Sequence, residues 1–158
     1  MNLLRRLALV LIVVCSCLAG CAKNPPPVTD VEGEVFLDGS PLPFASVTFV
    51  PDLSNFGAEM NSIGKTDEKG RFTLVCSYKN EPGAVVAKHR VLVTELPTPA
   101  EYRRPDGETQ ERYANYLAKL KNRPIPPEYG AVGQTPLVLD VTAEQKSYKL
   151  ELRRKPGG

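Results

Sequence analysis

Histidine is almost missing from this sequence: His89 is the one imidazole in 158 residues. Zinc sites of the usual kind draw several His or Cys ligands from short, regular spacings, and a lone histidine cannot supply one. No nucleophile–base pairing is readable either. An excess of one charge is also missing. The chain has 20 Lys+Arg against 18 Asp+Glu, and two of the cations, Arg5 and Arg6, fall within the first twenty residues. Without those two the count is 18 against 18. Nucleic acid asks for a clustered basic surface, so a near-neutral domain argues against nucleic acid as a partner.

Long apolar runs are missing everywhere but at the N-terminus. There Arg5 and Arg6 precede an unbroken apolar stretch, Leu7 to Val14, which Cys15 to Leu18 continue. The run is too short for a permanent span and has the charge order of a secretory signal. It closes on Leu18-Ala19-Gly20-Cys21. This "LAGC" resembles the lipobox of bacterial lipoproteins, in which the signal is cut before the cysteine and the cysteine is acylated. The resemblance implies residues 1–20 as signal and Cys21 as the lipidation site. It places the protein at a membrane of the cell envelope, on its periplasmic side or at the cell surface. Several acyl chains give a stable anchor, at about 0.8 kcal/mol per buried methylene. Cys15 and Cys17 would leave with the signal and Cys21 would carry lipid. Cys76 would then be alone, with no partner for an intramolecular disulfide, and reads as a small core residue of a strand. His89 reads as a strand residue too.

Ala22 to Asp30 holds three consecutive prolines, which favour an extended tether (residues 21–30). From Val31 onward, short segments alternate in polarity. Val31, Gly33, Val35 and Leu37 oppose Glu32, Glu34 and Phe36, and Asp38-Gly39 follows as a two-residue hairpin signal. Ala45, Val47 and Phe49 share one face of the next run, which Pro51 ends. "IGKT", "RFTLVC", "KHRVLVTEL", "TPLVLDVT" and "YKLELR" continue the series. Seven short strands separated by turn signals predict an all-β domain over 31–154, a seven-stranded antiparallel β-sandwich.

One segment breaks the two-residue period. Asp106 to Asn122 places Tyr113, Tyr116, Leu117 and Leu120 at i, i+3, i+4 and i+7, one face of a helix. Acidic residues come early, cations late, and Pro124 ends the pattern. This predicts a helical insertion at about 106–122, laid on the sheet by its Tyr/Leu stripe; the same four residues are a candidate binding face.

The densest cluster of charge is Thr66 to Phe72, "TDEKGRF". Asp67 can cap its own turn and Gly70 can take positive φ, so the stretch reads as a hairpin turn with Glu68 and Lys69 at its tip. "G-x-V-x-x-D-G-x-P-L-x-x-A-x-V" over Gly33 to Val47, "T-D-x-x-G-x-F" over Thr66 to Phe72, and Pro82-Gly83 leading into a strand to Thr94 together resemble the carboxypeptidase regulatory-like domain. That domain is a transthyretin-like β-sandwich, similar also to the B-type repeats of bacterial surface adhesins. The resemblance covers 31–96 by motif and reaches 153 if the last two strands are counted. It implies a non-catalytic module that docks or binds, here to an envelope protein or a polysaccharide, without a cofactor or metal. The intramolecular Lys–Asn or Lys–Asp bond of some adhesin repeats is not carried over, because the first strand has no lysine. The insertion departs from the compact pattern of the family.

A different class of function remains open, an envelope hydrolase or metal-dependent enzyme. Its residues would be Asp52, Asp67, Glu68 and His89. Paired carboxylates do acid–base work when their surroundings push their pKa values apart, so this reading requires the carboxylates to converge in a pocket. A calcium loop built on Asp67 and Gly70 offers too few oxygens and sets Lys69 against the ion.

Overall fold

The structure, a computed structural model, describes residues 24–102 and 107–155. The signal at 1–20, Cys21, the start of the tether and Asp106 lie outside the described residues. The described residues form twelve strands in three sheets, with one α-helix. All seven expected runs are present. The larger number has two causes: one run divides in two, and four strands of only two residues carry no readable period.

The largest sheet has the order β11-β10-β4-β5-β7-β8. It comprises β4 (Ala45–Pro51), β5 (Ser62–Lys65), β7 (Val75–Cys76), β8 (Glu81–Pro82), β10 (Lys88–Glu95) and β11 (Val138–Asp140). β4 and β10 form its centre, paired antiparallel from Ala45–Glu95 to Pro51–His89. A second sheet sets β2 (Glu32–Leu37) between β12 (Ser147–Leu152) and β3 (Ser40–Pro41), with β6 (Arg71–Thr73) also on β2. β1 (Val28–Thr29) pairs with β9 (Ala84–Val85) in a small third sheet. The end of the proline-rich stretch therefore belongs to the fold, and Val86 N–H donates to Pro27 O at 2.8 Å.

One pairing departs from the expected all-antiparallel arrangement. β12 runs parallel to β2, with Tyr148 opposite Gly33 and Leu150 opposite Val35. Alternation has period two in either direction, so polarity along the chain does not reveal it. The direction follows from connectivity: after β11 the chain crosses to the other sheet through residues 141–146 instead of turning back in a hairpin.

The two larger sheets share one core. Val35 and Leu37 of β2, Phe72 of β6 and Leu150 and Leu152 of β12 are buried with Val47, Phe49, Val91 and Val93 of the opposite sheet. Phe49 sits at the centre, 6.1 Å from the Phe72 ring and 6.3 Å edge-on to Tyr148. Sheets facing each other over a common core are consistent with an all-β sandwich. A second cluster of Met60, Cys76 and Val85 takes in Val28, Leu53 and Phe56. Cys76 is fully buried there, and His89 is fully buried on β10.

"RFTLVC" divides at Leu74. Its first half pairs with β2, its second with β5, and the buried Leu74 between them donates its N–H to Val31 O. The helix, α1, covers Gly107–Lys119, three residues short of the expected end. Asn122 follows with φ +61°, the left-handed turn-off that Asn tolerates. Among the described residues no helix is long and apolar enough to cross a membrane.

Candidate functional site

The charged turn at 66–72 resolves into hydrogen bonds. Asp67 Oδ1 accepts from Lys69 N–H at 2.8 Å and Arg71 N–H at 2.9 Å, and Oδ2 accepts from both Nε and Nη2 of Arg71. The Arg71 N–H contact, then the Lys69 N–H and the guanidinium, holds the Asp67 carboxyl below the usual carboxylate range. Gly70 has φ +78°, and a Cβ there would lie 2.8 Å from Val35 O. Beneath it the buried Thr66 hydroxyl donates to Leu42 O and accepts from Ala45 N–H, both at 2.8 Å. One part of the reading changes: this is no simple hairpin. β5 and β7 pair within one sheet, while β6 between them is diverted to the other, so the turn links the sheets.

The second expected turn, Asp38-Gly39, has φ of +51° and +79°, both positive as a type I′ turn needs. The Asp38 carboxylate accepts from Arg154 N–H and from its guanidinium, which lowers its pKa.

The four residues of the enzyme reading do not converge. Thr66, next to Asp67 and Glu68, bonds Ala45 at the start of β4, whereas His89 stands opposite Pro51 at its end. Six strand residues separate these points, about 20 Å. Asp67 and Glu68 are exposed, and so is Asp52. His89 faces inward: its Nε2 lies 2.8 Å from Val85 O, its ring 5.6 Å from Phe49, and its Nδ1 has no hydrogen-bond partner among the described residues. Burial is what lowers its pKa. Beside the turn lies an open groove of about 540 Å³ that includes Glu32, Glu34, Lys65, Asp67 and Arg71. Its charges are of mixed sign and set no preference for one ligand charge. Among the described residues no three His, Cys, Asp or Glu side chains come together as metal ligands would.

The insertion is one place where the fold leaves apolar surface exposed; the paired Ile63 and Val75 of β5 and β7 are another. Tyr113, Tyr116 and Leu120 are only half-buried, and Leu117 is 45% exposed. The helix was expected to lay this stripe on the sheet; instead its principal neighbour is the 3-10 turn Ala100–Tyr102. Tyr102 brings its ring to 5.5 Å from Tyr113 and 5.4 Å from Tyr116, and those two lie 6.3 Å apart, tilted by only 18°. Tyr102 was missed in the sequence because it stands outside the helical period, among prolines.

Among the described residues, the foot of the insertion is fastened to the sheets by side-chain hydrogen bonds. Asn122 Nδ2 donates to Leu37 O at 2.7 Å and Ser40 O at 3.1 Å, and its Oδ1 accepts from Arg154. Arg123 reaches Glu95 at the end of β10 and the carbonyls of Pro43 and Phe44. Its side chain is largely buried, so these bonds satisfy a charge removed from water. Further on, the buried Tyr129 accepts Arg153 N–H at 2.9 Å and the Thr135 hydroxyl donates to Val91 O at 2.7 Å. Polar side chains thus close the domain where the sequence shows no strand. No family model, curated protein or solved structure matches this chain.

Proposed function

We propose that this chain is a lipid-anchored protein of the cell envelope, held by Cys21, whose transthyretin-like β-sandwich of the carboxypeptidase regulatory-like type serves binding and not catalysis. In this reading the sandwich is a rigid stand, and the insertion it carries is the binding face for an envelope protein or polysaccharide. The observation that carries the proposal is the half-buried aromatic face of α1, with Leu117 45% exposed beside it. Short helices depend on tertiary packing for stability, and this one packs its tyrosines on Tyr102, with neither in the core clusters, on a segment whose foot is latched by Asn122 and Arg123. The turn motifs support the same view, because the Asp67 carboxylate is occupied as a hydrogen-bond acceptor within its own turn.

Two measurements test the two halves of the proposal. Replacing Cys21 with Ser and fractionating cells should move the protein out of the membrane fraction; a mature-sized variant that stays there refutes the anchor. Replacing residues 107–119 with a short Gly/Ser linker, which keeps Asn122 and Arg123, should abolish capture of envelope components and leave the melt of the sandwich nearly intact. Retained capture would place binding elsewhere.

A further inference from the structure

We infer that the tyrosine cluster of the insertion takes an acidic sugar polymer. The inference rests on the proposed binding role of α1 and adds the chemistry of the ligand. Tyr102 and Tyr116 line a shallow cleft of about 240 Å³ together with Arg112, Asn115 and Lys119. Arg112, Asn115 and Lys119 are all exposed. The cleft is smaller than the roughly 300–1,000 Å³ of sites that enclose a drug-sized molecule. It suits one unit of a polymer held at the surface.

Each lining group matches a feature of such a unit. Tyrosine rings present an electron-rich face, which attracts the polarised C–H bonds on the flat side of a pyranose. The Tyr102 and Tyr116 rings lie 5.4 Å apart, tilted by 31°, and offer neighbouring contacts at low entropic cost, since a tyrosine has few torsions to freeze. The Asn115 amide both donates and accepts, as sugar hydroxyls do. Arg112 can grip a carboxylate or sulfate through two parallel N–H bonds, and Lys119 adds a second positive charge. Among the described residues no carboxylate lines the cleft, in a protein whose overall charge is near balance. The local sign is what selects an anionic ligand. A peptide partner fits less well. Peptide recognition uses a free sheet edge or an apolar groove with side-chain pockets, and the cleft is a small aromatic and cationic surface on a helix.

The test uses the mature protein purified in detergent, with immobilised polygalacturonate as the acidic polymer, dextran as the neutral one and poly-glutamate as an acidic peptide. Polygalacturonate should bind, with dextran and poly-glutamate at least about tenfold weaker. Tyr116→Ala should weaken binding about tenfold, at a cost typical of losing one buried aromatic contact. Tyr116→Phe, which keeps the ring and guards against misfolding, should retain most of it. Arg112→Gln should weaken binding a few-fold and flatten its salt dependence. Equal binding of dextran, equal binding of poly-glutamate, or indifference to Tyr116→Ala overturns the inference. If no polymer binds but envelope extract still yields a partner that requires residues 107–119, the sugar assignment fails and the binding role stands. If neither binds, both fall.

Discussion

The inward face of β10 and the apolar face of α1 carry equally clear periodic patterns and meet opposite fates. Val91 and Val93 alternate along β10 and are no more than 1% exposed. Tyr113, Tyr116, Leu117 and Leu120 recur at helical spacing, yet Leu117 stays 45% exposed and the tyrosines meet Tyr102. Periodicity states that a face exists. What it faces depends on which other apolar surface comes within reach. β10 lies between β4 and β11 with a second sheet across the core, so its inward side chains have no choice. α1 stands on a segment attached at its foot by polar bonds, and its face is left partly exposed.

The difference can be broken from the core side first. Phe49→Ala should cost about 3–5 kcal/mol, because it opens a cavity where Phe72, Tyr148 and His89 converge; chemical denaturation measures it. A loss under 1 kcal/mol would mean that the two sheets are not held by this contact. Gly70→Ala should cost about 2 kcal/mol, combining positive φ with the close approach to Val35 O. The neighbouring Glu68→Ala should stay within about 0.5 kcal/mol. A thermal melt that ranks Glu68→Ala as the worse of the two contradicts the turn assignment.

The buried imidazole gives a pH-dependent version of the same contrast. His89 has its pKa lowered in the fold by burial, against smaller opposing effects of Val85 O and the Asp140 carboxylate. The native state therefore favours the neutral ring. Its contribution to stability is complete above the ordinary value of 6.5 and is lost as pH falls below that toward the folded value. Because His89 is the only histidine, a melt followed from pH 7.5 to 5 should lose stability below about 6.5. His89→Gln should flatten that slope; an unchanged slope assigns it to other groups. The smallest effect belongs to the insertion: Leu117→Ala should shift stability by no more than about 0.5 kcal/mol. A loss of 2 kcal/mol in the same assay would show that its side chain is packed after all.

Local chemistry by itself determined much of this protein. The inward faces of β2, β4, β10 and β12, the turns at Asp38-Gly39 and Asp67 to Gly70, the core position of Cys76, the strand position of His89, and the existence of a helix near 106–122 all follow from side-chain period and backbone preference. Those are short-range properties, carried by residues a few positions apart. Tertiary structure alone decided the parallel pairing of β12 with β2, the division of one run at Leu74, and the two-residue strands β1, β3, β8 and β9. It also decided that Tyr102 joins Tyr113 and Tyr116, and that Asn122, Arg123 and Arg154 fasten the insertion to the carbonyls of Leu37, Pro43 and Phe44 and to Asp38. Each of these depends on groups distant in sequence finding hydrogen-bond or ring partners once the sheets have met. A pattern of polarity records which way a side chain turns, and holds no record of the partner waiting there.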